Sequence, residues 1–176
     1  GSSEYVEHIN RVVPGAKFVH LIRDGRDVAA SLLAASKDWG KSWAPGQVES
    51  ASLLWKNSLL NAQKARQYDE RYLEVRYEHL LTDGVVVLQK VCAFIGCPLD
   101  EETARAIYSD HQFAKMKQEG KGAGDFRLPT GFFREGRAGT WQASLKPADR
   151  YVFDESAGDL LRALGYAEDL WWADNS

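Results

Sequence analysis

The sequence predicts an α/β fold in which a parallel sheet is flanked by helices, and three observations carry that prediction. Two short segments, KFVHLI at 17–22 and YLEVRY at 72–77, have the length and the β-branched and aromatic content of strands. Between and after them, apolar residues recur at spacings of three and four, the repeat of one helix face. Strands separated by helices form βαβ units, whose strands pair in parallel.

Each element follows in order. Residues 4–13 place Tyr5, Ile9, Val12 and Val13 at amphipathic spacing, and Pro14-Gly15 ends that helix. The run 17–22 is a buried strand, a turn follows, and 27–37 is a helix free of breakers. Glycines and a proline mark 38–47 as a loop. A long helix over 48–67 is expected to bury Val48, Ala51, Trp55, Leu59 and Ala62. After the second strand, Thr82 or Asp83 caps a helix with Val85, Leu88, Cys92 and Ile95 on one face, stopped by Gly96 and Pro98. A short helix spans 101–109, and a long basic loop with six glycines between Gly120 and Gly139 occupies 115–139. Pro147 starts the last helix and Gly165 ends it.

The chain has 176 residues, 44% hydrophobic and 27% charged, enough for one domain with a sizeable core. Lysines and arginines number 22 against 25 acidic residues, a net charge of −3. That balance suits neither a nucleic-acid coat nor a protein of anionic membrane surfaces. No apolar run approaches the roughly 18 residues of a membrane-spanning helix. Cys92 and Cys97 lack the companions of a metal site, and read as buried free thiols of a reducing, cytoplasmic compartment. Gly1-Ser2-Ser3 reads as a remnant of expression rather than native sequence.

The segment KFVHLIRDGRDVAASLL carries the chemistry. Arg23 stands at the carboxyl end of a strand, where open α/β sheets bind their ligands. Asp24-Gly25 permits a tight turn, and the helix that follows presents its amides to the same crevice. An arginine fork beside a helix N-terminus is suited to phosphate, and the Ser31 hydroxyl lies about one turn into that helix. A solvated turn with local ion pairs is the alternative, with Ser31 bonded back to its own helix.

The ordered set of segments resembles the sulfotransferase superfamily. Arg23 and Ser31 have the eight-residue spacing of its 3′-phosphate element. VRYEHLL is similar to its Tyr-Glu-(Asp/His) strand end, which puts Tyr77 at the adenine. FIGCPLDEE, then HQFAKM with Phe113 near the adenine, follow in family order. FFREGRAGTW closes the series and brings Phe133, Arg134, Glu135 and Gly136 to the cofactor. Glu135 replaces the family's usual lysine, and Thr140 stands where aspartate is frequent.

The resemblance implies a P-loop-NTPase-like sulfotransferase fold, present in part, with 4–176 as the C-terminal part of a single domain. It implies 3′-phosphoadenosine-5′-phosphosulfate as cofactor, adenosine 3′,5′-bisphosphate as product, and no metal. The family's 5′-phosphosulfate loop and general base lie upstream of these elements, so no catalytic residue is assigned here, including His8, His20, His79 and His111. The expected partners are a small-molecule or peptide acceptor and the N-terminal half of the same enzyme, in cis or in trans. Trp39 and Trp43 in the 38–47 loop could line an acceptor pocket, and Trp171 and Trp172 could face the other half. A non-catalytic nucleotide-binding or interaction module of the same fold is the second reading. A P-loop kinase relative is a third, disfavoured because neither a Walker A segment nor a metal-binding aspartate after a strand is found.

Overall fold

A computed structural model describes residues 5–120, 128–129 and 136–173. They fall into two compact units, one of Gly1–Arg23 with Ser58–Leu128 and one of Asp24–Asn57 with Pro129–Ser176.

In the first unit, α1 (Val6–Val12) leads through Gly15, at φ +92°, into β1 (Phe18–Ile22). The second strand, β2 (Tyr72–Arg76), pairs with it in parallel, Phe18 opposite Tyr72 and Ile22 opposite Arg76. The parallel pairing predicted from the order of elements is therefore present. Ile22 and Val75 are buried, but Val19 and Leu21 remain 42% and 53% exposed, so β1 is less buried than its composition suggests. Between the strands, residues 64–71 wind as 3-10 turns broken at Asp69, where φ is +42°. The Arg71 guanidinium ties this segment to α1 and the next turn, donating to Asn10 Oδ1 at 2.8 Å and to the Ala16 carbonyl at 3.3 Å.

Downstream of β2 come α4 (Tyr77–Thr82), α5 (Gly84–Ile95), α6 (Glu101–Asp110) and α7 (Phe113–Glu119). Gly84 starts α5 because the Tyr108 ring of α6 lies on it: a Cβ there would come within 2.0 Å of that ring. The Tyr108 hydroxyl donates to the Leu80 carbonyl at 3.0 Å. The inner face of α5 differs from expectation. Gly84 and Val87 are buried, Val85, Leu88 and Cys92 are half-buried, and Ile95 is exposed. Cys97 is exposed too, so the two free thiols are not the buried pair expected. Asp83 precedes α5 without a side-chain cap bond and instead accepts from the Thr82 hydroxyl. Helix α7 also replaces the first five residues of the predicted 115–139 loop.

The second unit contains α2 (Gly25–Ala35), the first part of α3 (Val48–Gln63), α8 (Trp141–Ser144), α9 (Pro147–Ala163) and a 3-10 turn (Leu170–Ala173). Four of the five residues predicted to face inward from α3 are buried, Val48, Ala51, Trp55 and Leu59 being each at most 8% exposed, whereas Ala62 is only half-buried. The helix ends at Gln63, four residues short of the predicted 67. Its Trp55 ring begins an aromatic row, with centroids 5.8 Å to Phe153, 6.2 Å on to Trp172 and 5.5 Å on to Trp141. Trp172 is thus core and 6% exposed, not a surface left for another half. Pro147 occupies the first turn of α9 as predicted, where Asp149 accepts from the Lys146 amide, and Gly165 follows the helix at φ +73°.

Candidate nucleotide site

Arg23 and Tyr77 are the residues directly after β1 and β2, one step beyond the register pair Ile22 and Arg76. Parallel pairing therefore delivers both side chains to one sheet end. The Arg23 guanidinium lies over the Tyr77 ring, 4.3 Å from its centroid. Such stacking engages the face of the planar cation and fixes its orientation, and a guanidinium fork is the group suited to a phosphate. Tyr77 opens α4 rather than ending the strand, because the chain turns helical one residue earlier than predicted. Phe113, also in this unit, opens α7 with Lys117 Nζ 5.9 Å from its ring centroid.

Ser31 and Gly136 belong to the second unit. Ser31 sits half-buried on α2, and Gly136 takes φ +63°, a left-handed value that favours glycine. Phe133, Arg134 and Glu135 lie outside the described residues.

The Arg-Asp-Gly-Arg-Asp turn between Arg23 and Ser31 is not a solvated one. Helix α2 begins at Gly25, two residues before the predicted start, with Asp24 as its cap accepting from the Arg26 amide at 2.9 Å. The Arg26 side chain folds back on the same carboxylate through Nε at 3.0 Å and Nη2 at 2.7 Å, and Nη2 also donates to the Tyr166 carbonyl at 2.7 Å. Its guanidinium lies 4.1 Å from the Trp141 ring centroid and 4.9 Å from that of Trp172. Burial pushes the Asp24 carboxyl above its ordinary range, opposed by the Arg26 hydrogen bonds and charge. Gly25 is not at positive φ. Its Cβ, were there one, would stand 2.6 Å from the Trp55 ring, so close approach is what requires glycine.

Asp27 was the residue hardest to read from sequence. It is 1% exposed and accepts from the Gly139 amide at 2.8 Å, the Thr140 hydroxyl at 3.0 Å and the Trp141 amide at 2.9 Å. The available signal was its position four residues before Ser31, one helical turn away on the same face.

A further polar row crosses the strand pair. Tyr72 Oη is 2.7 Å from His20 Nδ1 and donates to Glu74 Oε2 at 3.1 Å, while Arg66 donates to the same oxygen at 2.6 Å. Burial lowers the His20 imidazole below its usual value and pushes the Tyr72 hydroxyl up to about 12. Among the described residues no group of histidines, cysteines and carboxylates is placed to hold a metal ion, and no helix is long and apolar enough to cross a membrane.

The family model for the sulfotransferase domain matches residues 10–165. The chain belongs to the sulfotransferase family. Sulfotransferase 2B1 of Mus musculus is 28% identical over 159 residues, covering 79% of this chain and 46% of the relative. Sulfotransferase 2A1 of Macaca fascicularis is 28% identical over 172 residues, 85% of this chain and 59% of that protein. This sulfotransferase-family chain thus spans about half the length of the curated relatives it matches. Mouse sulfotransferase SULT7A1, solved in complex with PAP, superposes with a TM-score of 0.68 at 22% identity, covering 84% of this chain and 59% of that one. Retinol dehydratase, solved with androsterone and the inactive cofactor PAP, gives 0.61 at 23% identity over 83% of this chain and 47% of that one. These likenesses confirm the sulfotransferase fold.

Proposed function

We propose that this chain provides the 3′-phosphate and adenine site of an enzyme that moves a sulfuryl group from 3′-phosphoadenosine-5′-phosphosulfate to a hydroxyl or amine acceptor. The observation that carries the reading is Arg23 stacked on Tyr77 at the carboxyl ends of two parallel strands. The residue types suit the nucleotide end of that cofactor. Arg23 offers a charged donor fork, Ser31 a hydroxyl, Tyr77 and Phe113 aromatic faces, and Gly136 a backbone that a phosphate can approach. Phe133, Arg134 and Glu135 complete the proposed site on the strength of the sequence pattern. The solved neighbours that contain PAP support the choice of nucleotide.

When bound, the cofactor supplies the sulfuryl group. The residues of this chain bind and orient its far end, so that the reacting sulfur is held in line with the acceptor. The catalytic base and the 5′-phosphosulfate loop are assigned to an N-terminal half acting in cis or in trans. Two facts support that assignment: the relatives are about twice as long, and β1 exposes Val19 and Leu21 on a sheet of two strands among the described residues. The acceptor is a small molecule or a peptide, with Trp39 and Trp43, ring centroids 5.3 Å apart, available to line its pocket. A reducing, cytoplasmic compartment is part of the same reading and rests on the cysteine usage of the sequence.

Glu135, in the place of the family's lysine, favours the second reading of a binding module without catalysis. Both readings require the nucleotide. Calorimetric titration of adenosine 3′,5′-bisphosphate is expected to show a loss of about 1.5–3 kcal/mol for Arg23→Ala, the worth of a charge-assisted hydrogen bond. Binding indifferent to both Arg23→Ala and Ser31→Ala would remove the site from this protein.

A further inference from the structure

The geometry points to Asp27 as a positioning residue for the 3′-phosphate end of the site, acting through the 136–141 segment rather than by touching the ligand. This rests on the nucleotide reading above. Asp27 and Ser31 are successive residues on one face of α2, and the loop that carries Gly136 ends at the Asp27 carboxylate. Its two oxygens accept from three consecutive residues. Oδ2 takes the Gly139 amide, while Oδ1 takes the Thr140 hydroxyl and the Trp141 amide. The span from Gly136 to Gly139, with φ of +63° and +78° at its ends, is therefore fastened at its downstream end to the helix that bears Ser31.

The chemistry of that fastening is specific. A buried carboxylate is costly unless hydrogen bonds compensate it, and an apolar residue would serve packing better. What the carboxylate adds is acceptors alone. An asparagine of the same shape would turn an NH2 group toward an N–H donor and could not hold all three bonds. Beyond the fastening, Trp141 is locked independently by the Arg26 guanidinium and by Trp172, which keeps the end of the loop fixed against the unit core. Thr140 fits the same scheme. Its hydroxyl donates to Asp27, which an ionised aspartate at that position could not do.

The test compares affinity for adenosine 3′,5′-bisphosphate with affinity for adenosine 5′-phosphate, which lacks the 3′-phosphate. The ratio reports 3′-phosphate recognition, and global destabilisation alone leaves it unchanged. Asp27→Asn is expected to lower the ratio about tenfold, and Thr140→Val about threefold, in proportion to the bonds lost. Asp27→Glu, which keeps the charge but displaces it, is expected to restore part of the ratio. Ser31→Ala is the control for the site itself. If Ser31→Ala lowers the ratio while folded Asp27→Asn and Thr140→Val preserve it, Asp27 is only structural and the inference is wrong. If Ser31→Ala and Arg23→Ala also preserve it, the nucleotide reading fails first. Should Asp27→Asn not fold, Thr140→Val alone decides, since its unchanged ratio overturns the proposal and a reduced one sustains it.

Discussion

Single side chains set the tolerances around the α2 turn. At Gly25 any Cβ would drive into the Trp55 ring, whose other neighbour is the buried Phe153. Gly25→Ala is therefore expected to lower stability by about 1–3 kcal/mol, the usual cost of overpacking, measured as a drop in the urea midpoint. Thr140→Asp should cost a similar amount, about 1–3 kcal/mol, because it replaces a donor to Asp27 by a second buried-side acceptor. In the sequence, Gly25 marks a turn and nothing more. The contact with Trp55 was invisible because it joins positions thirty residues apart, and spacing arguments reach only about one turn of helix.

Among the elements, the β1–β2 pair makes the protein sensitive to acid. His20 is held below its ordinary value of 6.5 by burial, against the attraction of Glu74. Below pH 6.5 the unfolded chain takes up a proton that the folded chain resists, so stability falls as pH falls through that window. Glu74 acts in the same direction at lower pH. Burial raises its carboxyl, but hydrogen bonds from Arg66 and Tyr72 outweigh that and hold it below 4.5. Its contribution is present above 4.5 and is lost as pH falls through its folded value. His20→Phe is expected to flatten the stability curve between pH 5 and 7, measured by denaturant titration at each pH; a slope equal to that of wild type would rule out His20 as the source. Both strands were legible in the sequence to within one residue, because a run of β-branched and aromatic residues is a local signal. The row His20–Tyr72–Glu74 was not, since it exists only once the parallel register puts His20 opposite Glu74.

For the molecule as a whole, length is the governing fact. The chain spans about half the length of the curated relatives it matches. On the proposed assignment of the catalytic base and the 5′-phosphosulfate loop to another half, these 176 residues are expected to bind adenosine 3′,5′-bisphosphate and to transfer no sulfuryl group to an acceptor. Turnover by these 176 residues alone, followed as release of adenosine 3′,5′-bisphosphate from the sulfated cofactor, would contradict the division of labour proposed here.

What the sequence determined by itself was the order of elements and the identity of the family. Hydrophobic spacing marks α3 and its buried face, and the order from Arg23 through Tyr77 and Phe113 to Trp141 is a pattern of residue types along the chain. Tertiary structure alone decided what those residues touch. It placed the Arg23 guanidinium on the Tyr77 ring by matching the ends of two strands fifty-four residues apart, turned the terminal Trp172 inward, and made Asp27 the acceptor for three donors more than a hundred residues downstream. The physical reason is the same in each case. Local propensity and spacing are recorded in neighbouring residues, whereas a hydrogen bond or ring contact depends on where two distant backbones are brought to rest.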